Sequence, residues 1–268
     1  MLVTTLGDAL LDVVVRLDEP LAVGADAGAV TKSGAGGQAA NVAAWAVALG
    51  AEGRCIAKQG DDAAGRLVAA ELESRGVELV GPAGGRNGIV VSLVGKDGER
   101  TMASDRGVAP ELAPGDLDPV WLACDCLHIA GYSLLASPID AAAFRAAELA
   151  RLNGATVSVD LSAWTRIREF GPARFRRQVE LLEPDVIFAN EAEWEIVGRM
   201  LAPLGEPSSA TRAEHWFRQL AATVPAFAGL SYQSLGDAGR LLAVTPTSPA
   251  VGAAGRRGAG APPSEANR

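Results

Sequence analysis

The sequence predicts an α/β protein: a mostly parallel central sheet covered by helices on both faces, with a smaller sheet beside it. Three observations carry this. From Leu127 onward, short apolar runs alternate with longer segments of helical periodicity, which is the rhythm of βα units. Those runs are apolar throughout, as strands of a parallel sheet buried on both faces must be. Residues 11–17 and the pair 89–94 and 100–103 fall outside the rhythm and read as a separate small sheet.

In order along the chain, residues 2–6 read as a first strand feeding a loop at Gly7-Asp8, and 11–17 as a second. Residues 38–49 are Ala-rich, hence strong helix formers, and are closed by Gly50. Residues 54–58 read as a strand and 62–75 as a helix, with Leu67, Val68 and Leu72 carrying its periodicity. Lys96-Asp97-Gly98 supplies the turn of a hairpin between 89–94 and 100–103. Strands at 127–130, 156–161 and 186–189 then alternate with helices at 138–152, 172–182, 191–200 and 212–220. One α/β domain is expected over 1–244. Residues 245–268 contain one Val and no Leu, Ile or Phe, too little apolar surface to order a chain, and are expected to be a low-complexity, disordered tail.

At 268 residues the chain suffices for one large domain with a full core, built mostly of Ala, Val and Leu since aromatics are only 5%. A formal net charge of −8 argues against a nucleic-acid partner, because phosphate backbones need a basic face. No apolar run is long enough to span a membrane, and residues 1–8 lack the basic and apolar regions of a signal peptide. Cys55, Cys124 and Cys126 are an odd number set in or beside apolar runs. They read as core residues of a protein in a reducing cytoplasm. Cys124, Cys126 and His128 could be weighed as a metal site, but neighbouring strand residues point to opposite faces and no second ligand pair exists. His215 reads as a surface helix residue.

The most informative stretch is Ser33-Gly-Ala-Gly-Gly-Gln-Ala-Ala-Asn41. Gly34, Gly36 and Gly37 let a backbone approach a ligand closely, and the following helix start offers free N–H groups with Asn41 in its first turns. The run also fits the dinucleotide pattern G-x-G-x-x-A, but residues 24–33 do not read as the apolar strand that pattern needs. Nor does an acidic residue close the next strand.

The run Gly36-Gly-Gln-Ala-Ala-Asn41, with Gly60-Asp61-Asp62-Ala-Ala-Gly65, resembles the first signature of the ribokinase-like (PfkB) carbohydrate kinase family. Gly7-Asp8 through Asp12 is similar to that family's sugar-binding strand end. Residues 97–102 with Asp105-Arg106-Gly107 resemble its lid strand and the loop after it. Val159-Asp160-Leu-Ser resembles the strand end near the phosphates, and Asn190-Glu-Ala-Glu193 its N-x-x-E motif. The resemblance covers roughly residues 1–200.

The resemblance implies a three-layer ribokinase-like fold with a small β lid, from about 11–30 and 88–105. It implies transfer of the ATP γ-phosphoryl group to a sugar hydroxyl, with Mg²⁺. Asp12, Gly36, Gly37, Asn41 and Arg106 would hold the sugar. Asp160, Asn190, Glu193 and Gly236 would serve phosphate and nucleotide, with Glu193 reaching the metal through water. As plain structure, Asp12 also fits a turn residue, Asn190 a helix N-cap, and Asp160 a strand-end cap. A lid of this kind implies a possible homodimer.

The family's second signature places a catalytic aspartate after a Gly-Ala-Gly run. The candidate here is Gly258-Ala-Gly-Ala261-Pro-Pro, with Ala261 at the base position. A truncated or frameshifted C-terminal part is therefore expected, leaving the activity of this chain in doubt. Two alternatives stay open: a non-catalytic relative that binds a sugar or nucleoside, and a nucleoside kinase. The sugar itself is not read from the sequence.

Overall fold

The computed structural model describes residues 1–162, 164–190, 192–193, 196, 231–234 and 241–244. In chain order these form β1 (Leu2–Leu6), β2 (Leu10–Leu17), β3 (Ala29–Gly36), α1 (Gln38–Ala48), β4 (Glu52–Ile56), α2 (Ala63–Ser74), β5 (Val77–Val80), β6 (Asn87–Val94) and β7 (Arg100–Gly107). Three short 3₁₀ turns lead to β8 (Cys126–Ala130), followed by α3 (Ile139–Leu152), β9 (Thr156–Asp160), α4 (Trp164–Phe170), α5 (Pro172–Leu182) and β10 (Val186–Ala189). β11 (Ser231–Ser234) and β12 (Leu241–Val244) complete the described elements.

Eight strands form one sheet in the order β11-β12-β10-β9-β8-β1-β4-β5. Every pairing in it is parallel except β11 with β12. Alternation along the strands sends side chains to two separate cores. Leu6, Ile56, Leu127, Ile129, Val157, Val159 and Ile187 pack with α3 and α5 through Ala142, Ala146, Phe175 and Val179. On the opposite face, Cys55, Ala57 and Ala130 pack with Ala39, Ala40 and Ala43 of α1 and with Val68 and Leu72 of α2. Adjacent Cys55 and Ile56 thus serve different cores, which is why the strands read as continuously apolar. Among the described residues the rhythm expected from residue 127 onward is present: α5 and β10 match the expected bounds, and β8, α3 and β9 agree to within a residue.

The second sheet has four strands in the order β3-β2-β6-β7. β2 pairs antiparallel with β3, Leu10 opposite Gly36 and Leu17 opposite Ala29. It pairs parallel with β6, which returns through the Asp97-Gly98 turn as β7. The sequence reading is corrected here: residues 29–36, not read as a strand, are one. Their polar and glycine-rich side chains carry no strand signal, and pairing with β2 imposes the extended form. The small sheet thereby runs on to Gly36, past the expected edge at 30. Gly34 and Gly36 lie inside β3, in a different sheet from β4, so no βαβ unit forms around them.

β5 and α4 were also not anticipated. Cys55 and Cys126 are buried core residues, and burial pushes both thiols up to about 12. No group of three or more His, Cys, Asp or Glu that could hold a metal occurs among the described residues. Of the expected helix over 191–200, residues 192, 193 and 196 are described as helical. The helix at 212–220, His215, Gly236, Ala261 and the tail lie outside the described residues. Among the described residues no helix is long and apolar enough to cross a membrane.

Candidate functional site

The carboxyl ends of β1, β8, β9 and β10 and the junction of β3 with α1 carry or flank most of the expected residues, and Ser162 links the two through Asp160 and Gln38; this is the candidate cleft, the usual ligand position in an open α/β sheet. At its glycine end, β3 runs directly into Gly36 and Gly37, and α1 starts at Gln38. Gly37 has a φ of 95°, and a side chain there would collide with the Asp8 backbone, so only glycine fits. Gly36 is packed against the Asp12 carboxylate, leaving no room for a Cβ. Glu71, from α2, accepts the Ala35 N–H at 2.6 Å and fastens the strand that ends in these glycines. Asn41 lies exposed in the first turn of α1. Burial holds the Asp12 carboxyl above its ordinary value, an effect opposed by the Arg100 charge.

Asp8, directly after Gly7 at the end of β1, is almost fully buried. Arg106, the penultimate residue of β7, donates to it twice, Nε to Oδ2 and Nη2 to Oδ1, both at 2.7 Å. The guanidinium lies over the Tyr132 ring at 5.5 Å. The small sheet is thus tied to the central sheet by a bidentate ion pair. Arg106, expected among sugar-binding residues, is engaged by a protein carboxylate.

At the carboxylate end, Asp160 closes β9 and Asn190 follows β10. Asn190 and Glu193 form a reciprocal cap. The Glu193 N–H donates to Asn190 Oδ1 at 2.9 Å, and the Asn190 N–H and Nδ2 donate to the two Glu193 oxygens at 3.0 and 2.8 Å. The helix-cap reading of Asn190 and its functional reading therefore use the same geometry. Burial and, secondarily, the Asp160 charge push the Glu193 carboxyl up to about 7, against the hydrogen bonds from Asn190. Burial likewise raises Asp160.

The two ends are connected through Ser162, which sits at a φ of 71°. Its N–H donates to Asp160 Oδ1 at 2.8 Å, its hydroxyl donates to Gln38 Oε1 at 2.6 Å, and its oxygen accepts the Tyr132 N–H at 3.2 Å. Tyr132 lies within electrostatic reach of Arg166, Arg106, Asp8 and Glu193, with burial dominating the rise of its phenol.

A model of the pfkB family carbohydrate kinases matches residues 2–225. The chain belongs to that family. An ATP-dependent ribose-1-phosphate kinase from Halopiger xanaduensis is 33% identical over 196 residues, covering 71% of this chain and 62% of that protein. Fructokinase-1 of Oryza sativa subsp. japonica is 31% identical over 211 residues, covering 73% and 62%. The chain thus spans 62% of the length of these relatives.

Among solved structures, the adenosine kinase from Sinorhizobium meliloti superposes with a TM-score of 0.66 at 22% identity, covering 91% of this chain and 74% of that one. The 2-dehydro-3-deoxygluconokinase from Thermotoga maritima gives 0.64 at 24%, covering 82% and 69%. These likenesses show the ribokinase-like fold.

Within the pfkB frame, sequence reasoning quoted Asp8, Gln38 and Ser162 inside their motifs without giving them a role of their own, and missed Tyr132. Asp8 carried a usable signal, as the first polar residue past the glycine that ends β1. Ser162 carried another, two residues beyond Asp160. Gln38 stands inside the glycine signature itself, and Tyr132 had no signal.

Proposed function

We propose that the chain is a sugar kinase of the pfkB family whose sugar-binding and phosphate-binding halves are both built, and that phosphoryl transfer by residues 1–268 is impaired. The observation that carries this reading is the pairing of a glycine cradle beside Asp12, where β3 of the small sheet meets α1, with a buried carboxylate cluster at Asp160 and Glu193, past β9 and β10 of the central sheet. Sugars present many hydroxyls. Asp12 accepts from them, the Asn41 carboxamide both donates and accepts, and the backbone of the Gly36-Gly37 turn approaches without obstruction. The small sheet acts as a lid that keeps water from competing with the sugar for the phosphoryl group.

The carboxylate end fits a divalent cation: burial raises both carboxyls and the Asp160 charge raises Glu193 further, the condition a cation relieves. Asp160 and Glu193 would hold Mg²⁺ together with phosphate oxygens and water. A Mg²⁺ held by these residues would supply the positive charge that offsets the phosphates of ATP. Asn190 fixes the Glu193 carboxylate in place for it. Ala261 stands where the family resemblance implies the general base, and without a base to take the hydroxyl proton the rate falls by about 10²–10⁴-fold. ATP and a sugar as substrates imply a cytoplasmic protein, and the lid sheet supplies a surface for a homodimer.

The test is ligand-dependent melting of the chain with hexoses, pentoses, adenosine and Mg-ATP, alongside ADP release. At about 100-fold excess over Kd, a bound sugar stabilises by about 2.7 kcal/mol, or about 5–10 °C in Tm. A sugar shift and a separate Mg-ATP shift are expected. A sugar shift with none for Mg-ATP identifies a non-catalytic binding protein. A shift with adenosine alone identifies a nucleoside kinase.

A further inference from the structure

We propose that Asp8 is a specificity-determining residue that keeps the glycine end of the cleft neutral, so that it takes an uncharged sugar and rejects a phosphorylated one. The inference rests on the sugar-kinase reading above. Family membership does not decide it, since the similar proteins include both fructokinases and a ribose-1-phosphate kinase.

Arg106 is the cation that reaches this end from the lid, and its planar fork is the group that would clasp a phosphate in two parallel hydrogen bonds. Asp8 already occupies that fork through both oxygens at 2.7 Å, and the guanidinium face rests on Tyr132. Asp8 has a side-chain exposure of 5% and cannot turn to water, so an entering anion would leave a buried carboxylate unpaired. The second cation acting here, Arg100, acts on Asp12. Arg166, the other cation in reach of Tyr132, pairs with Glu169 at 2.8 Å. The Asp12 carboxylate, packed against Gly36, can accept hydrogen bonds from hydroxyls and would repel a phosphate. A neutral polyol satisfies Asp12 without disturbing any of these pairs.

Calorimetric titration of the whole chain with D-ribose, D-fructose, ribose 1-phosphate and inorganic phosphate tests this. The wild type is expected to bind a neutral sugar at least tenfold more tightly than ribose 1-phosphate, and to take no inorganic phosphate. Asp8→Asn frees the fork of Arg106. It is expected to gain at least tenfold for ribose 1-phosphate and to acquire phosphate binding, and adding Arg106→Gln is expected to abolish both gains. Ribose 1-phosphate binding the wild type as tightly as ribose overturns the proposal, as does Asp8→Asn producing no gain. Wild type and variant both refusing every sugar sinks the sugar reading alone. The role of Asp8 is then decided by inorganic phosphate: binding to the variant only supports it, and equal behaviour overturns it. Asp8→Ser serves as the second variant where Asp8→Asn does not fold, and the wild-type comparison stands without either.

Discussion

The two ends of the cleft carry buried charge in opposite ways. At the glycine end Asp8 is matched by Arg106 in a bidentate pair, and Glu71 is matched by the Ala35 N–H and by Arg75. At the other end Asp160 and Glu193 have hydrogen-bond donors but no paired cation among the described residues, and burial raises both. Apart from Asp12, whose carboxyl burial raises against the Arg100 charge, the charges of the first end are paired before any ligand arrives. The second holds stored repulsion that an arriving cation would discharge. A rigid cradle with no free cation among the described residues suits a substrate recognised by shape and hydroxyl geometry. A charged, incomplete cluster suits a ligand that brings its own ions. Disturbing one end should therefore cost packing and backbone energy, and disturbing the other should chiefly change how the protein responds to pH.

The largest effect is expected at the glycine end. Gly37→Ala forces a side chain onto a residue at φ 95° and into the Asp8 backbone. Strain and collision together should cost about 3 kcal/mol, a fall in Tm of about 6–12 °C. The Gly36-Gly37 turn would be displaced with it, so sugar-dependent stabilisation should vanish as well. A Tm within 1 °C of the wild type would show that the turn yields easily and that the cradle is not preorganised.

Next in size is the pH response of the carboxylate end. Glu193 has a folded pKa of about 7, above its ordinary 4.5. Between those values the native state holds a proton that the unfolded chain has released. Stability due to this group is therefore full below about pH 4.5, falls as pH rises to about 7, and is level beyond. Allowing for partial solvent screening, the loss is about 1–2 kcal/mol. Urea unfolding of the wild type and Glu193→Gln at pH 5, 6, 7 and 8 measures it as a difference. Parallel curves would mean that Glu193 is stabilised as a carboxylate after all.

The same contrast explains what could be read from the residues alone. Asn190 and Glu193 are three apart, and that local spacing writes their reciprocal cap directly into the sequence. The βα rhythm was legible for a similar reason, because each strand's burial on both faces marks its own residues. The glycine end was legible only in part. Gly36, Gly37 and Asn41 stand together in the chain, but Arg106 meets Asp8 across 98 positions and Ser162 meets Gln38 across 124. Neither partner's identity demands the other. β3 was missed because its extended form comes from β2 and not from its own side chains.

The smallest effect expected is also the one that separates capping from charge control. Asn190→Ala removes the side-chain acceptor for the Glu193 N–H and one of the two donors to its carboxylate. Loss of an N-cap of this type costs about 1 kcal/mol. The remaining donor, the Asn190 backbone N–H, survives the substitution. Because the lost Nδ2 donor favoured the ionised form, the Glu193 carboxyl should move further upward, and the stability loss with rising pH should extend above 7. Unfolding measured at pH 5 and at pH 8 distinguishes the two contributions: at pH 5 Glu193 is largely protonated in the fold and the variant pays mainly the cap, while at pH 8 the added cost of the carboxylate appears on top. Equal losses at both pH values would assign Asn190 to the helix end alone, and the charge at this end of the cleft would then be governed by Asp160 and burial.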